Sequence, residues 1–417
     1  MGLERVRRLF VGSAGAVLAG CLAACVSAAP DGADGFSARP STPRLAVVDE
    51  ENLTEAQQIM LASRSNLNIY RTLAHHTELY NRWSPLGRFL LNGSSISPRH
   101  REMAMLRMGW LSQAEYEWAQ HARIAKASAG LTDADLRAIA VGPDAQGWSA
   151  ADRAVLQMVD ELRFDAMVSD ATWAALKETY TEPQVMELLF TAAQYQLVSM
   201  ALNTLGVQLE PTTTDRLPTG LPLPETAWRP ESPRLAAPRL PPLTAAQWTP
   251  EQRAALGQRA EDENILNLYS TMVVHPGLYQ SWLGFMGYIF GQTSLPPKMR
   301  EMLILRTGWL WNAEYEFAHH RPLGIRAGMT DAEVDRVAAG PDAPGWTDEE
   351  RVVLRAADEL RREAFITDET YAALSRHYEP NQIIELVYTV GGYAMTALAI
   401  NSFGIQTEPG YTGFPAQ

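Results

Sequence analysis

Apolar residues recur three or four positions apart along most of this chain, which is the spacing of helices that bury one face. Several such segments open with residues that cap a helix, as in Thr132 to Asp135 and Ser149 to Asp152. Glycines such as Gly130 and Gly206 stand where the helices should end. No alternating strand pattern competes with this one. The pattern predicts an all-α protein.

The chain also repeats itself over the length of a whole domain. The sequence REMAMLRMGW at 101–110 returns as REMLILRTGW at 300–309, and AEYEWAQH at 114–121 returns as AEYEFAHH at 313–320. The match is too long for a solenoid of short repeats. It predicts two tandem helical domains, at 44–210 and 243–410, with about six helices each. Between them, 211–242 is rich in proline and is typical of a semi-rigid surface linker, and 411–417 is a tail.

The longest predicted helices span about 183–203 and 381–401 and are apolar nearly all round. Such helices belong inside a bundle or at a subunit contact. The copies also differ by a proline. Pro322 follows the segment at 313–320 in the second copy and should kink the helix that contains this segment. We therefore expect the two copies to differ near this position.

The N-terminus predicts export. Arginines precede a short apolar run that has the order of a secretory signal, which we assign to 1–25. Cys21 and Cys25 each close a sequence resembling a lipobox, so either one is a candidate for lipidation in a bacterial envelope lipoprotein. The alternative is an ordinary cleaved signal and a periplasmic or secreted protein. Residues 26–43 are predicted to be a flexible tether, and the body contains no cysteine.

The net charge of -13 argues against a nucleic-acid partner, because such proteins need clustered Lys and Arg. Apart from an N-terminal lipid anchor, nothing indicates a membrane contact. A small molecule is the expected partner.

One cluster of polar residues could support chemistry. Glu117 and His121 are four positions apart on one predicted helix and share a face, and Glu102 lies on the preceding helix. If the helices fold back near Gly109 to Gln113, the two carboxylates and the imidazole converge. Glu301, Glu316 and His320 reproduce the arrangement. The alternative for Glu117 with His121 is an exposed pair that stabilises its helix by about 0.2–0.5 kcal/mol.

With these motifs the chain resembles the carboxymuconolactone decarboxylase family, within the alkyl-hydroperoxidase-D-like (AhpD-like) superfamily. The peroxidase branch of that superfamily carries two cysteines between the Glu and the His. Those positions are filled here by Ala114 and Glu117, and by Ala313 and Glu316. The resemblance covers both copies and implies the same helical fold without thiol chemistry.

The resemblance implies a carboxy-lyase that removes carbon dioxide from a small carboxylated lactone, without metal or organic cofactor. His121 or His320 would be the proton donor, oriented by Glu117 or Glu316, with Glu102 and Glu301 as a second relay. Isomerisation and lactone hydrolysis need the same groups and stay open. A noncatalytic small-molecule-binding protein is the alternative from another class, and the missing cysteines argue against a thiol peroxidase.

Other residues have two interpretations. Arg107 and Arg306 are candidates for binding a substrate carboxylate, or they form ion pairs with a nearby Glu. Tyr116 and Tyr315 are candidate substrate contacts in an enclosed aromatic setting. His76 and His275 are better explained as polar turn residues. Relatives in the family form rings of single domains, so a homo-oligomer is expected, with a trimer of six domains as the leading arrangement.

Overall fold

The structure is a computed structural model that describes residues 38–62, 64–222, 228–231 and 234–415. All of them belong to one unit, Gly35–Gln417. The predicted signal peptide, Cys21, Cys25 and the first part of the predicted tether lie outside the described residues.

Each repeat contains nine α-helices and no β-strand among the described residues. In the first repeat they are α1 Glu55–Ala62, α2 Asn68–Leu73, α3 Thr77–Arg88, α4 Pro98–Leu111, α5 Glu115–Ser128, α6 Asp133–Val141, α7 Ala150–Phe164, α8 Asp170–Lys177 and α9 Glu182–Leu205. In the second they are α10 Pro250–Leu256, α11 Asn267–Met272, α12 Pro276–Gly291, α13 Pro297–Leu310, α14 Glu314–Arg326, α15 Asp331–Ala339, α16 Asp348–Glu363, α17 Asp368–Leu374 and α18 Pro380–Phe403. Short 3-10 helices cover Glu50–Asn52, Ala74–His76 and Gly257–Glu261, and a π-helix covers Phe89–Gly93.

The predicted all-α, duplicated fold is confirmed. The apolar spacing predicted about six helices in each repeat; six are nine residues or longer, and three shorter helices of six to eight residues bring the number to nine. The predicted capping boxes at Thr132 and Ser149 are present, and Gly206 ends α9 in the left-handed conformation with a φ of 67°. Capping satisfies backbone groups that a helix end would leave unpaired, so these residues fix where the helices begin and end.

The two repeats pack through their longest helices, α9 and α18. Both are long and apolar enough to cross a membrane, but the apolar stretch of each is entirely buried inside the protein. The helices approach closely, because a Cβ at Gly391 would lie 2.6 Å from Cγ of Leu197. The chain therefore covers these apolar faces itself. We expected a trimer partly because such apolar faces would need a partner. The trimer remains a prediction, but these buried faces no longer support it.

Two equivalent segments bind the repeats together. The sequence Arg-x-x-x-Pro-Arg-Leu occurs at 39–45 and at 234–240, in the last part of the predicted tether and of the predicted linker. Arg44 and Arg239 each donate through Nη1 to one carbonyl of each repeat. These carbonyls are Thr204 at 2.9 Å and Ile366 at 2.6 Å for Arg44, and Ser402 at 2.9 Å and Val168 at 2.6 Å for Arg239. Residues 38–43 and 234–242 are thus integral parts of the fold.

A pair of buried arginines crosses between the repeats at the C-terminal ends of α7 and α16. Arg163 donates to the backbone carbonyls of Arg361 at 2.9 Å and Arg362 at 2.7 Å, and Arg361 donates to those of Arg163 at 2.8 Å and Phe164 at 3.1 Å. Burial lowers the pKa of the Arg163 guanidinium to about 10 and lowers that of the Arg361 guanidinium well below its usual value. Each arginine neutralises the partial negative charge at the other helix end.

His76 and His275 are not in the predicted sites but at this repeat interface. Each caps the following helix, and each reaches the other repeat, with His76 Nε2 at 2.9 Å from Glu385 Oε1 and His275 Nε2 at 2.8 Å from Glu187 Oε1. Burial alone would raise the pKa of the Glu187 and Glu385 carboxyls. The histidines and nearby hydroxyl and backbone donors instead hold both pKa values below that of an ordinary glutamate.

These two ion pairs predict acid sensitivity. Because the folded-state pKa of Glu187 and Glu385 is depressed, their contribution to stability is complete above about pH 4.5 and is lost as the pH falls through the lowered pKa values. We expect the melting temperature of the wild type to fall more steeply below pH 4.5 than that of the double variant Glu187→Gln, Glu385→Gln. The exposed Glu369→Gln is the control and should follow the wild type. Parallel curves for the wild type and the double variant would contradict this role.

Candidate active site

The predicted polar clusters lie where two helices of each repeat fold back on each other. The turn between α4 and α5 passes through Gln113 with a φ of 49°, and Asn312 takes the same left-handed conformation between α13 and α14 with a φ of 52°. Gly308 permits close packing in the second repeat, since a Cβ there would lie 3.2 Å from the backbone nitrogen of Phe317. The predicted fold-back is therefore present in both repeats.

In the first repeat, His121 is enclosed by two carboxylates. Its Nδ1 lies 2.7 Å from Glu102 Oε2, and its Nε2 lies 3.1 Å from Glu117 Oε1. Burial alone would lower the pKa of the imidazole, but the two carboxylates raise it to about 10. The ring of Tyr195 meets the imidazole edge to face at 4.8 Å. His121 is therefore a buried cation whose two nitrogens are both occupied by carboxylates.

In the second repeat, the same residues are arranged differently. His320 Nδ1 lies 2.8 Å from Glu301 Oε2, but neither carboxyl oxygen of the buried Glu316 has a hydrogen-bond partner among the described residues. Burial raises the pKa of the Glu316 carboxyl well above its usual value, which favours the neutral acid. The orienting carboxylate of His320 is thus Glu301, not Glu316 as the spacing predicted.

A cavity of about 720 Å³ lies beside this second cluster. Glu316 and His320 form part of its wall, and Tyr393 meets His320 edge to face at 4.9 Å. Aromatic and aliphatic side chains from α12, α14 and α18 make up nearly half of the remainder, and Arg259, Arg321 and Arg326 also line the cavity. Within the described residues, no group of three or more His, Cys, Asp or Glu side chains is suited to hold a metal ion. The cavity is therefore large enough for an organic ligand, and its wall includes Glu316, whose burial favours the neutral acid.

The duplicated helical fold and the repeated Glu-Glu-His cluster agree with a sequence comparison. The profile described as the carboxymuconolactone decarboxylase family matches residues 77–161 and 276–359. The chain contains two tandem domains of this family. Each matched region includes the helix pair that bears the Glu and His side chains, so the duplication inferred from the sequence is confirmed as a duplication of carboxymuconolactone decarboxylase family domains.

Several solved structures are similar to the chain. One is a protein of unknown function from Agrobacterium tumefaciens, whose description links it to the antioxidant defence protein AhpD. It is 14% identical over 32% of this chain and 92% of its own, with a TM-score of 0.30. The debrominase Bmp8 is 15% identical over 41% of this chain and 92% of its own, with a TM-score of 0.34. A cysteine-to-alanine variant of that debrominase with 2,3,4-tribromopyrrole is 17% identical over 41% and 91%, with a TM-score of 0.33. A search of curated proteins found no match.

The two tyrosines of the family motif are held by hydrogen bonds. Tyr116 donates to Glu210 at 2.7 Å, and the same oxygen of Glu210 accepts from the Asn68 backbone nitrogen at 2.7 Å. Tyr315 and Glu408 repeat this pair at 3.2 Å. Tyr315 also lines the cavity, so a substrate contact remains open for its ring but its hydroxyl is occupied.

The two candidate arginines are occupied elsewhere. Arg107 forms a two-point ion pair with Asp160, at 2.6 and 2.8 Å, and Arg306 forms one with Asp358, at 2.6 and 3.0 Å. The remaining Nη1 of each donates to two backbone carbonyls. This arrangement supports the ion-pair interpretation, with an aspartate instead of the expected glutamate, and neither arginine belongs to the cavity wall.

Several residues of the cavity wall were missed from the sequence. His319 is stacked between Tyr315 and Tyr411 at 4.0 Å from each ring, so the predicted tail at 411–417 contributes to the wall. Arg259 lies 4.7 Å above the ring of Tyr269 on the same wall. The differences between Gln120 and His319, and between Thr213 and Tyr411, were the available signals that the copies diverge here. Helix α14 continues through Pro322, which also lines the cavity.

Proposed function

We propose that the cavity of the second repeat is an active site for cofactor-free decarboxylation, or a related proton transfer, on a small carboxylated lactone. The observation that carries this proposal is the buried Glu316 carboxyl, which has no hydrogen-bond partner in the described chain and belongs to a residue that lines the cavity together with His320. A buried acid with a raised pKa is the form that a general acid needs near neutral pH.

The proposed reaction needs only proton transfer and charge stabilisation. When the substrate carboxylate leaves as carbon dioxide, its bonding electron pair stays on carbon and is accepted by the lactone carbonyl as an enolate. His320 lines the cavity and is held through Nδ1 by Glu301, so in its doubly protonated form it would donate from Nε2 to the developing oxyanion. Glu316 would then give its proton to carbon and regain one from water.

Arg259 is the proposed site for the substrate carboxylate before it leaves. Its guanidinium lies on the cavity wall, whereas Arg306 is bound to Asp358 away from the cavity. A guanidinium is well suited to binding a carboxylate in a partly dry site.

The first repeat does not supply an equivalent acid in this proposal. Both nitrogens of His121 are taken by Glu102 and Glu117, and its raised pKa keeps it protonated. A cation held in this way stabilises the hairpin of α4 and α5. We therefore assign turnover to the second repeat alone.

Turnover in heavy water tests the proposed chemistry. We expect the purified protein to release carbon dioxide from a carboxylated lactone and to leave one deuterium on the carbon that carried the carboxyl group. Mass spectrometry of the product measures the incorporation, and protein-free lactone corrects for spontaneous loss. If lactones bind to the protein but are recovered unchanged, the noncatalytic binding alternative is correct.

A further inference from the structure

Three large apolar side chains mark the exposed end, or mouth, of the second-repeat cavity, whose lining also includes Arg259, Arg321 and Arg326. Phe290, Ile325 and Tyr411 are exposed by 46%, 40% and 41%, and all three line the cavity. They come from α12, α14 and the segment after α18. Clustered exposed apolar side chains mark surfaces that bind apolar ligands or partners. Here these exposed side chains line a cavity, which favours a ligand that enters it.

The apolar surface continues from the mouth to the acid. Leu283, Met286 and Phe290 follow one face of α12, and Ile400 adds to the wall from α18. Phe290 links the mouth to the acid. The centre of its ring lies 6.3 Å from that of His320, and part of the side chain remains exposed. The volume of about 720 Å³ is within the range of roughly 300–1,000 Å³ of sites that bury drug-sized ligands. A bare lactone would fill only a part of this space.

We propose that the substrate is amphiphilic, with a carboxylated lactone head at Glu316 and His320 and an apolar tail that runs along this wall to the mouth. The proposal rests on the proposed function for the identity of the head group. The tail follows from the wall alone, because apolar groups leave water for it while no charged partner is required. Each buried methylene of the tail should raise affinity about fourfold.

Gly287 provides a direct way to shorten the cavity. It lies on the cavity wall in α12, and a Cβ added there meets no atom within 4 Å. Gly287→Phe can therefore place a ring into the cavity without a backbone clash. Gly284 in the same helix has equally open space but does not line the cavity, so Gly284→Phe is the matched control.

The experiment measures binding and turnover of a series of carboxylated lactones with alkyl tails of none to about eight carbons. Calorimetry on the purified full protein gives the affinities, and carbon dioxide release gives turnover. We expect affinity to rise about fourfold per methylene until the tail reaches the mouth. The rise should persist in Gly284→Phe and flatten for long tails in Gly287→Phe, with both variants retaining the wild-type melting profile.

The outcomes separate this inference from the proposed function. If the bare lactone is turned over and affinity is flat across the series, the amphiphilic substrate is excluded while the proposed function stands. If affinity rises with tail length, and Gly287→Phe abolishes the rise, but no member is turned over, the apolar tail site stands and the proposed function fails. A rise that Gly287→Phe leaves intact would place the tail elsewhere and overturn the inference.

Discussion

Replacing Glu316 with glutamine should lower turnover of a carboxylated lactone by about a hundredfold to ten-thousandfold, the usual contribution of a positioned general acid. Glutamine has nearly the same shape but carries no acidic proton. Since the buried Glu316 carboxyl has no partner among the described residues, the change breaks no hydrogen bond there and the fold should be kept. Turnover at saturating substrate and the melting temperature are the two measurements.

The matched control is Glu117→Gln in the first repeat. This change removes one of the two carboxylates beside the His121 cation, so it should lower the melting temperature but leave turnover per folded molecule unchanged. The same contrast is expected between His320→Ala, which should be nearly inactive, and His121→Ala, which should be less stable and active. Equal losses of turnover from Glu117→Gln and Glu316→Gln would show that both repeats work and would reject the asymmetric proposal.

The largest expected effect on stability comes from the arginine pair between the repeats. Arg361→Met should lower the free energy of unfolding by about 2–4 kcal/mol, because buried carbonyls lose their charged donor. These acceptors are the carbonyls of Arg163 at 2.8 Å, Phe164 at 3.1 Å and Trp228 at 3.0 Å. Met replaces much of the packing volume, so the loss reports the hydrogen bonds rather than a cavity.

Urea unfolding of the purified protein measures this change. Arg362→Met is the control, because Arg362 is exposed and its substitution should change the free energy of unfolding by less than about 0.5 kcal/mol. If Arg361→Met and Arg362→Met change the free energy of unfolding equally, the buried arginine pair contributes little to the packing of one repeat against the other.

Much of the fold could be predicted because its signals are local. The capping boxes at Thr132 and Ser149, the left-handed Gly206 and the spacing of apolar residues all act within one or two turns of a helix. Because the chain is duplicated, each of these signals occurs twice, and a signal that recurs at the equivalent position is rarely a chance match. The all-α class, the duplication and the longer helices therefore followed from the sequence, whereas the short helices did not.

Contacts between the repeats were not predictable in the same way. His76 and Glu385 are separated by 309 residues, and no local pattern pairs them. The repeated Arg-x-x-x-Pro-Arg-Leu at 39–45 and 234–240 was a usable signal, but proline-rich composition suggested tether and linker instead. These segments are held by backbone carbonyls of both repeats, which come together only when the two repeats are folded and packed.

The candidate site was predicted in part. The convergence of Glu102 with His121, and of Glu301 with His320, follows from a hairpin of two helices and was foreseen. The Glu, Glu and His residues are the same in both copies, and the differences around them, such as Gln120 against His319, did not indicate that Glu117 pairs with its histidine while Glu316 does not. That difference arises from tertiary packing around the second site.

The protonation state of Glu316 is the most direct test of the central claim, which is that this residue in the wall of the second-repeat cavity is a neutral carboxylic acid. Infrared difference spectra at pH 7 between the wild type and Glu316→Gln isolate the carbonyl stretch of this one side chain. We predict the band of a protonated carboxylic acid in the wild type, absent from Glu316→Gln and unchanged in Glu117→Gln. A carboxylate band at this position, with no protonated acid lost on substitution, would contradict the claim.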